Sequence, residues 1–318
     1  MSRLRDPVLA LTGPTAAGKT ALSIVLARRL DGEIVSMDSR QIYRGMDIGT
    51  AKATREERAE VPHHGLDLID PDQGYSAGRF ARDARGWIRE IREQGRLPIL
   101  VGGTGFFLRA LTDPVFREPP MDRARRTRLR TWLSGRPPEE LARWVRVLDP
   151  GRAALAEEGG PQRLSRTLEL PLLTGRPLSW WHDHAPDDAE PVPARVVVVT
   201  LPREVLYDRI SARARAMFEG GLLDEVRGLL GRGFGPEAPG MTGTGYREAI
   251  RVLEGGLSVE EGIGETARLT RGYARRQLTW IRNQLPADRL EVDGLISVEE
   301  QADQVVRWWL GTGEGDGG

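Results

Sequence analysis

The feature that most restricts the fold of this chain is a glycine-rich loop close to its start. The apolar run "PVLALTG" (7–13) leads into "GPTAAGKT" (13–20), and "KTALSIVLARRL" (19–30) then shows helical spacing. A strand, a loop of the pattern G-x-x-x-x-G-K-[ST] and a helix together predict a backbone that surrounds phosphate groups. An ordinary glycine turn is disfavoured because the motif and its context are both complete.

The residue types inside this loop each have an expected role. Small side chains allow backbone N–H groups to converge on phosphate oxygens, and the start of the helix adds its positive end. Lys19 would neutralise the terminal phosphates and Thr20 would hold Mg²⁺. Lys19 stands out because Lys52 is the only other lysine in the chain. The predicted phosphate-binding residues are Gly13, Pro14, Thr15, Ala16, Ala17, Gly18, Lys19 and Thr20.

Further apolar runs alternate with segments of helical spacing. The runs "EIVSMD" (33–38), "HGLDLID" (64–70), "RLPILVGGTG" (96–105) and "RVVVVTL" (195–201) are predicted strands, and the second of these is the weakest. Continuous apolar strands separated by helices indicate a parallel sheet that is covered on both faces. We therefore predict an α/β fold in which a P-loop type of parallel sheet is flanked by helices.

A long segment between the last two of these runs lacks a strong strand signal. Its parts "MDRARRTRLRTWL", "PEELARWVRVL" and "QRLSRTLELPLLTG" have helical spacing, so residues 118–193 are predicted to form a helical insertion domain. The core would then comprise residues 1–117 and 194–318, with further helices after the last strand. The composition of "GTGEGDGG" (311–318) predicts a disordered tail.

Composition excludes several kinds of site. The chain has no cysteine, which rules out disulfides, thiolate catalysis and cysteine-bound zinc or iron–sulfur centres. It has no run of about 18 apolar residues that would span a membrane, and we expect a cytoplasmic protein. The 46 basic and 46 acidic residues balance, so any nucleic-acid binding must depend on local patches.

Two polar residues at strand ends are candidates for chemistry. Asp38 and Thr104 follow predicted strands, whose carboxyl ends face the ligand crevice of a parallel sheet. The alternatives are that Asp38 or Ser39 caps a helix and that Thr104 lies in a plain glycine turn. P-loop ATPases and GTPases place a Mg²⁺-binding aspartate at a strand end, but Gly102–Thr104 occupy that place here. This pattern favours phosphates that are not part of ATP.

Arginines form three clusters in this otherwise neutral chain. The second cluster is "QRLSR" (162–166), in which the two arginines share one helical face. The third lies in a segment without acids (267–287) that also holds Tyr273 and Trp280, a mixture that suits RNA. A solvated helix face remains the alternative for each cluster. The first and third clusters comprise Arg123, Arg125, Arg126, Arg128 and Arg130, and Arg268, Arg271, Arg275, Arg276 and Arg282.

Six segments resemble, in order and spacing, those of the tRNA dimethylallyltransferases. They are "GPTAAGKT", "SMDSRQIYRGMDIGTAK", "GGTGFFLRAL", "PQRLSRTLEL", "GYREAI" and "YARRQLTWIRN". The resemblance covers most of the chain, from about residue 7 to about residue 290, and the second and sixth segments are the specific ones. It implies transfer of a dimethylallyl group from dimethylallyl diphosphate to the exocyclic amine of the adenosine 3′-adjacent to the anticodon, with release of diphosphate.

The resemblance also implies that the helical insertion at 118–193 binds tRNA, and it implies roles for individual residues. The loop would hold the diphosphate, with Mg²⁺ on Thr20 and an arginine, Arg213 or alternatively Arg209, as a further contact. Asp38 would accept the proton of the amine. The implied catalytic residues are Asp38, Lys19, Thr20, Arg213 and Thr104. The implied tRNA contacts are Asp38, Ser39, Arg40, Gln41, Thr104, Arg126, Gln162, Arg163, Leu164, Ser165, Arg166, Tyr246, Arg247, Arg275, Arg276 and Gln277.

Two other functions remain compatible with the residues. A small-molecule kinase would hold ATP in the loop and use Asp38 as a base toward a hydroxyl, but the missing strand-end acid and the arginine clusters count against it. A non-catalytic RNA-binding protein would use the loop as a nucleotide switch and would leave Asp38 without a role. Consumption of ATP with a small metabolite would identify the kinase. Release of diphosphate in the presence of tRNA would identify the transferase and separate it from a non-catalytic RNA-binding protein. A monomer is the default expectation.

Overall fold

The structure is a computed structural model that describes residues 6–113, 116, 118–185 and 189–311. The predicted disordered tail therefore lies, apart from Gly311, outside the described residues. The chain divides into two compact units, one comprising residues 1–113 and 191–318 and the other residues 114–190. The second unit overlaps the predicted insertion at 118–193, and its role in tRNA binding stays a prediction.

The first unit contains a six-stranded sheet in the order β3-β2-β4-β1-β5-β6. The strands are β1 (Val8–Thr12), β2 (Gly32–Ser36), β3 (His63–His64), β4 (Leu97–Val101), β5 (Ala194–Thr200) and β6 (Leu290–Asp293). All of their pairings are parallel. Every residue of β1 and β2 is buried, which is typical of strands covered on both faces. The predicted α/β fold is confirmed.

Helices surround this sheet and make up the second unit, where a short 3₁₀ turn (Pro150–Arg152) also occurs. None of the helices in the described ranges is long and apolar enough to cross a membrane. The helices are α1 (Lys19–Arg29), α2 (Arg55–Glu60), α3 (Ala77–Glu93), α4 (Gly105–Thr112), α5 (Arg123–Ser134), α6 (Pro138–Leu148), α7 (Ala153–Glu158), α8 (Gly160–Thr174), α9 (Leu178–His184), α10 (Arg203–Glu219), α11 (Leu222–Gly231), α12 (Tyr246–Leu253), α13 (Val259–Gln284) and α14 (Val298–Leu310).

Apolar side chains cover both faces of the sheet. On one face Phe80 of α3 stacks on Phe107 of α4, with ring centroids 4.3 Å apart. On the other face Leu22 and Leu26 of α1 pack with Val305 of α14. Alternate residues of β1 belong to the two clusters, because successive side chains of a strand point to opposite faces.

The third strand is shorter than predicted. Only His63–His64 pair with β2, and Ile69 forms an isolated bridge with Tyr43. Gly65 has a φ of +83° and Asp67 a φ of +54°. A positive φ interrupts an extended chain, so the apolar run cannot continue as one strand.

Strand β6 was not predicted from the sequence. It lies at the edge of the sheet beside β5, and Val292 is the buried residue among its four. An edge strand with one buried side chain has too weak an apolar pattern to be recognised.

Three connections meet at the carboxyl ends of neighbouring strands. β1 continues into the phosphate loop, β2 into Met37 and Asp38, and β4 into the Gly102–Thr104 turn. Because β4 lies between β1 and β2, these connections adjoin each other. The N–H of Met37 donates to the Val101 carbonyl oxygen (2.7 Å), which ties the second connection to β4. This edge is where parallel α/β sheets bind their ligands.

Candidate functional site

The loop between β1 and α1 has a backbone shape that requires its glycines. Gly13 has a φ of +146°, and a Cβ there would lie 2.7 Å from the carbonyl oxygen of Val199. Gly18 has a φ of +95° and directly precedes α1. The first N–H groups of a helix have no partner within it and carry the positive end of its dipole. The loop therefore ends in donors that suit an anion.

Lys19 is the first residue of α1 and folds back over the loop. Its Nζ donates to the carbonyl oxygens of Gly13 (3.0 Å) and Pro14 (2.7 Å). The pKa of Lys19 is lowered to about 8, chiefly by burial and then by the charge of Arg213, while Asp38 acts in the opposite direction. A bound anion would favour the charged form again.

Asp38, Ser39 and Thr104 lie together where β2 and β4 end. The Oδ1 atom of Asp38 accepts the N–H of Arg40 (2.8 Å), as in an Asx turn. The N–H of Ser39 donates to Thr104 Oγ1 (3.2 Å). No helix begins near Asp38, since the next one is α2 at Arg55. The helix-cap alternative for Asp38 and Ser39 is therefore wrong.

An arginine of α10 lies close to the same carboxylate. Burial lowers the pKa of Arg213, and the charge of Asp38 opposes that shift. Arg209, the alternative from the sequence, donates instead to the carbonyl oxygen of Gly294 (3.2 Å). Arg213 is therefore the arginine that lies with the other two charges, since its charge lowers the pKa of Lys19 and the charge of Asp38 acts to raise the pKa of Arg213 itself.

A tyrosine of α13 joins this group and was missed as a site residue. The pKa of Tyr273 is raised to about 12, first by burial and then by the charge of Asp38, while a hydrogen bond with Thr104 acts in the opposite direction. From the sequence, Tyr273 is recognisable only as an aromatic residue within an arginine-rich helix. That mixture was the available signal, but it could not show which face of the helix turns toward Asp38.

Gln277, an implied tRNA contact, is instead buried beside the phosphate loop, with 7% of its surface exposed. Its Oε1 accepts the N–H of Thr15 (2.9 Å), and its Nε2 donates to the carbonyl oxygen of Gly103 (3.0 Å). Both ends of the amide are thus engaged within the protein. The implied role is corrected to one that joins two loops.

Tyr246, also an implied tRNA contact, is buried as well, with 1% of its surface exposed. Its hydroxyl donates to Glu225 Oε1 (2.5 Å). Glu225 of α11 also accepts the N–H groups of residues 47, 48 and 49 at 2.8, 2.8 and 3.2 Å. The pair therefore supports the segment that follows Asp38, and Tyr246 does not face a ligand. Glu225 had no recognisable signal in the sequence.

Gln41 and Lys52 hold the same segment from within. The Nε2 atom of Gln41 donates to the carbonyl oxygen of Ala51 (3.2 Å), so its amide is used inside the protein. The Lys52 side chain is 0% exposed, and its Nζ lies 2.6 Å from Asp47 Oδ1 and 2.7 Å from Asp67 Oδ1. Of the two lysines, Lys52 is structural and Lys19 faces the site.

The arginine-rich helix α13 does present basic side chains to solvent. Arg275 and Arg276 are exposed, and the Arg276 guanidinium lies 5.8 Å from the centroid of the Tyr273 ring. Arg268 is also exposed but pairs with Glu265 (2.6 Å). Arg275 and Arg276 therefore keep their predicted role in RNA binding, as does Arg247, which is exposed on α12.

Three arginines of the second unit converge on two glutamates. Glu169 of α8 accepts hydrogen bonds of 2.8 Å from Arg126, Arg130 and Arg166. Glu118 pairs with Arg126 and Arg166. Burial alone would raise the pKa of Glu118, but these two arginines hold it at about 2. The predicted basic surface is therefore partly neutralised within the unit.

The segment "QRLSR" has one residue in the core of the second unit and others at the surface of that unit. Leu164 is 3% exposed and belongs to the core of this unit, which corrects its implied contact with tRNA. Gln162 and Arg163 are exposed and Ser165 is partly exposed. The side chain of Arg123 lies outside the described part of the chain.

A magnesium ion would have to be held largely by a bound phosphate group. Within the described ranges, no three His, Cys, Asp or Glu side chains lie close enough together to hold a metal. Thr20 is exposed at the second position of α1. A hydroxyl at this place is the protein ligand that Mg²⁺ takes in phosphate loops, with phosphate oxygens and water as its other ligands. The residues present fit that arrangement.

Fold and site together define an α/β enzyme in which a loop with the phosphate-binding sequence pattern lies beside an aspartate, an arginine and a tyrosine. Residues 41–284 match the family model described as IPP transferase, and residues 7–66 match the model for isopentenyl transferase. The chain belongs to the IPP transferase family, that of the tRNA dimethylallyltransferases.

Individual relatives agree with this assignment. A tRNA dimethylallyltransferase of Syntrophobacter fumaroxidans is 45% identical over 286 residues, which cover 88% of this chain and 82% of the relative. The crystal structure of the Bacillus halodurans tRNA isopentenylpyrophosphate transferase has a TM-score of 0.70 at 36% identity and covers 96% of both chains. A eukaryotic dimethylallyltransferase acting on tRNA has a TM-score of 0.81 at 27% identity, covering 95% of this chain and 78% of its own. The resemblance seen in the six segments is confirmed.

Proposed function

We propose that this protein transfers a dimethylallyl group from dimethylallyl diphosphate to the exocyclic amine of the adenosine 3′-adjacent to the anticodon of tRNA. The observation that carries the proposal is that Asp38 follows β2 at the sheet edge where the loop after β1 leads to Lys19, and the charge of Asp38 acts to raise the pKa of both Lys19 and Arg213. In the reaction the allylic C–O bond breaks and a C–N bond forms at the amine. The amine proton passes to the carboxylate, and diphosphate leaves.

The loop side of the site stabilises the leaving group. An allylic C–O bond breaks readily when the charge that develops on diphosphate is neutralised. Lys19, Arg213 and the first N–H groups of α1 supply donors that are in place before the reaction. Mg²⁺ bound through Thr20 would add further charge neutralisation.

The carboxylate side of the site activates the nucleophile. The exocyclic amine of adenine is hardly basic, so its proton must leave as the new bond forms. Oδ1 of Asp38 holds the turn at Arg40, and we assign the proton to Oδ2 as general base. The hydroxyls of Ser39 and Thr104, which lie 3.5 Å apart, would orient the base. The adenine has to leave the stack of the anticodon loop to reach them.

Exposed basic side chains would bind the RNA backbone. We assign this role in the first unit to Arg275, Arg276 and Arg247, and in the second unit to the exposed Arg163. The exposed Gln162 beside it is neutral and would form hydrogen bonds with the RNA. We propose a monomer. We also propose a cytoplasmic location, where its tRNA substrate is found.

Incubation with labelled dimethylallyl diphosphate and bulk tRNA tests the function. Nucleoside analysis should show isopentenyladenosine, formed with Mg²⁺ and without ATP. Full activity in excess chelator would remove Mg²⁺ from the proposal. An absolute requirement for ATP, or phosphorylation of a small metabolite, would favour the kinase alternative.

The lowered pKa of Lys19 predicts an alkaline loss of kcat/KM for the prenyl diphosphate. The ammonium that neutralises the phosphates is lost as the pH rises through about 8, and kcat/KM reports the groups of the free enzyme. Above that pH, kcat/KM should therefore decrease with a slope that approaches about tenfold per pH unit. Bound diphosphate keeps Lys19 charged, so kcat should stay constant over the same range. A pH profile of both constants checks this. A kcat/KM that stays constant well above pH 8 would remove Lys19 from the diphosphate site.

Replacing both Arg275 and Arg276 by alanine should weaken tRNA binding and leave diphosphate binding nearly unchanged. Each lost phosphate contact should flatten the log–log dependence of tRNA affinity on salt by about 0.7 to 0.9. Arg268→Ala on the same helix is the control, because its guanidinium is already paired with Glu265. An unchanged salt slope in the double variant would identify these arginines as a solvated face.

A further inference from the structure

The amide of Gln277 bridges the phosphate loop and the glycine turn after β4. Thr15 and Gly103 lie on its two sides, at 2.9 and 3.0 Å from Oε1 and Nε2. A Cβ on Gly103 would lie 2.1 Å from Nε2 and 3.3 Å from the carbonyl oxygen of Gly13. The side chain is thus packed between two backbones and leaves no room for another group between them.

In P-loop triphosphatases this place has a different occupant. The strand-end aspartate that positions Mg²⁺ and the attacking water lie there, next to the third phosphate. In this chain β4, which adjoins β1, ends in Gly102 and Gly103 without a carboxylate. Gln277 of α13 approaches these glycines from outside the sheet and fills the space.

We propose that Gln277 is a positioning residue that restricts the loop to a chain of two phosphates. The proposal rests on the proposed function, in which the loop holds diphosphate. Because the N–H of Thr15 is bound by Gln277, the amides nearer Lys19 remain for the ligand. The side chain occupies the space that a third phosphate would need. The loop thus excludes triphosphates by volume as well as by the missing carboxylate.

Calorimetric titration with inorganic diphosphate and inorganic triphosphate, in the presence of Mg²⁺ and without tRNA, tests the proposal. The wild-type protein should bind diphosphate more tightly. Gln277→Ala opens the space and should reduce this preference by about tenfold, because it removes the steric exclusion of a third phosphate. Gln277→Met keeps the volume and loses both hydrogen bonds, so it should weaken diphosphate binding and retain the preference.

Gln284→Ala is the matched control. Gln284 lies on the same helix, and its Oε1 accepts a hydrogen bond from exposed Arg109 (2.9 Å) away from the loop. The affinities of Gln284→Ala for diphosphate and for triphosphate should equal those of the wild-type protein. Thermal unfolding of each variant identifies any general loss of structure. Such a loss would weaken the binding of diphosphate and triphosphate equally and leave the ratio of the two affinities unchanged.

The outcomes separate this proposal from the proposed function. Equal wild-type affinity for the two anions, or an unchanged ratio in folded Gln277→Ala, would overturn the role of Gln277 and leave the prenyl transfer intact. If Gln277→Ala does not fold, loss of the preference for diphosphate in folded Gln277→Met, which keeps the volume, would overturn it. A wild-type protein that binds neither anion and forms no isopentenyladenosine would instead contradict the proposed function.

Discussion

Asp38→Asn is expected to reduce the single-turnover rate of prenyl transfer by about 10²- to 10⁴-fold, the usual contribution of a positioned general base. Asparagine keeps the size of the side chain and the acceptor oxygen for the N–H of Arg40, so the turn should persist. It cannot accept the amine proton at neutral pH. The dissociation constants of tRNA and diphosphate should therefore change little.

The rate is measured with saturating tRNA and prenyl diphosphate at about pH 7, because Asp38 also raises the pKa of Lys19. At that pH the lysine of the variant is still charged when diphosphate is bound. Asp70→Asn is the control, since the Asp70 side chain forms an exposed ion pair with Arg44 (3.3 Å). A rate within about threefold of wild type, well below the general-base range, would leave Asp38 as a residue that only holds the turn.

Lys19→Met is expected to lower the single-turnover rate by about 10²- to 10³-fold, as does removal of a donor to developing negative charge in other enzymes. Methionine has similar length but no charge, so diphosphate binding should weaken as well. The affinity for tRNA should remain within about twofold, because the lysine faces the loop and donates to Gly13 and Pro14 rather than to an RNA-facing surface.

Arg28→Ala controls for loss of a positive charge from the same helix. Arg28 is exposed and lies 3.7 Å from Glu60, and such surface pairs contribute little. Thermal unfolding of Lys19→Met shows whether the loop remains folded once its carbonyl oxygens lose their donor. Transfer by Lys19→Met at a rate within about fivefold of wild type, far from the loss expected of such a donor, would assign the charge stabilisation to Arg213 and the helix amides alone.

The position of the phosphate loop and the type of fold were predictable from the sequence. Continuous apolar strands can be buried only when both faces are covered, and the loop motif needs a strand before it and a helix after it. Asp38 and Thr104 were predictable as strand-end residues for the same reason, since the carboxyl ends of parallel strands meet at one edge. Strand β6 was missed because a single buried valine gives no detectable period.

The assignments that changed were those that depended on which face of a helix is buried. Gln277 and Tyr246 belong to recognisable segments, and both turn inward, toward Thr15 and Gly103 and toward Glu225. Leu164 lies between the exposed Arg163 and the partly exposed Ser165 but packs in the core of its unit. A sequence segment shared with a family identifies important residues. It does not show whether a residue contacts the substrate or supports another residue that does.

The sequence by itself determined the phosphate loop, the parallel sheet and the identity of the carboxylate at the strand end, because these follow from local patterns of glycine, apolar and charged residues. Only the tertiary structure decided which distant side chains surround that carboxylate. Arg213 and Tyr273 come from helices far along the chain, and both their burial and the charge of Asp38 shift their pKa values. Burial also distinguishes the roles of the two lysines. Lys52 is enclosed by two aspartates and is structural, whereas Lys19 is directed at the loop.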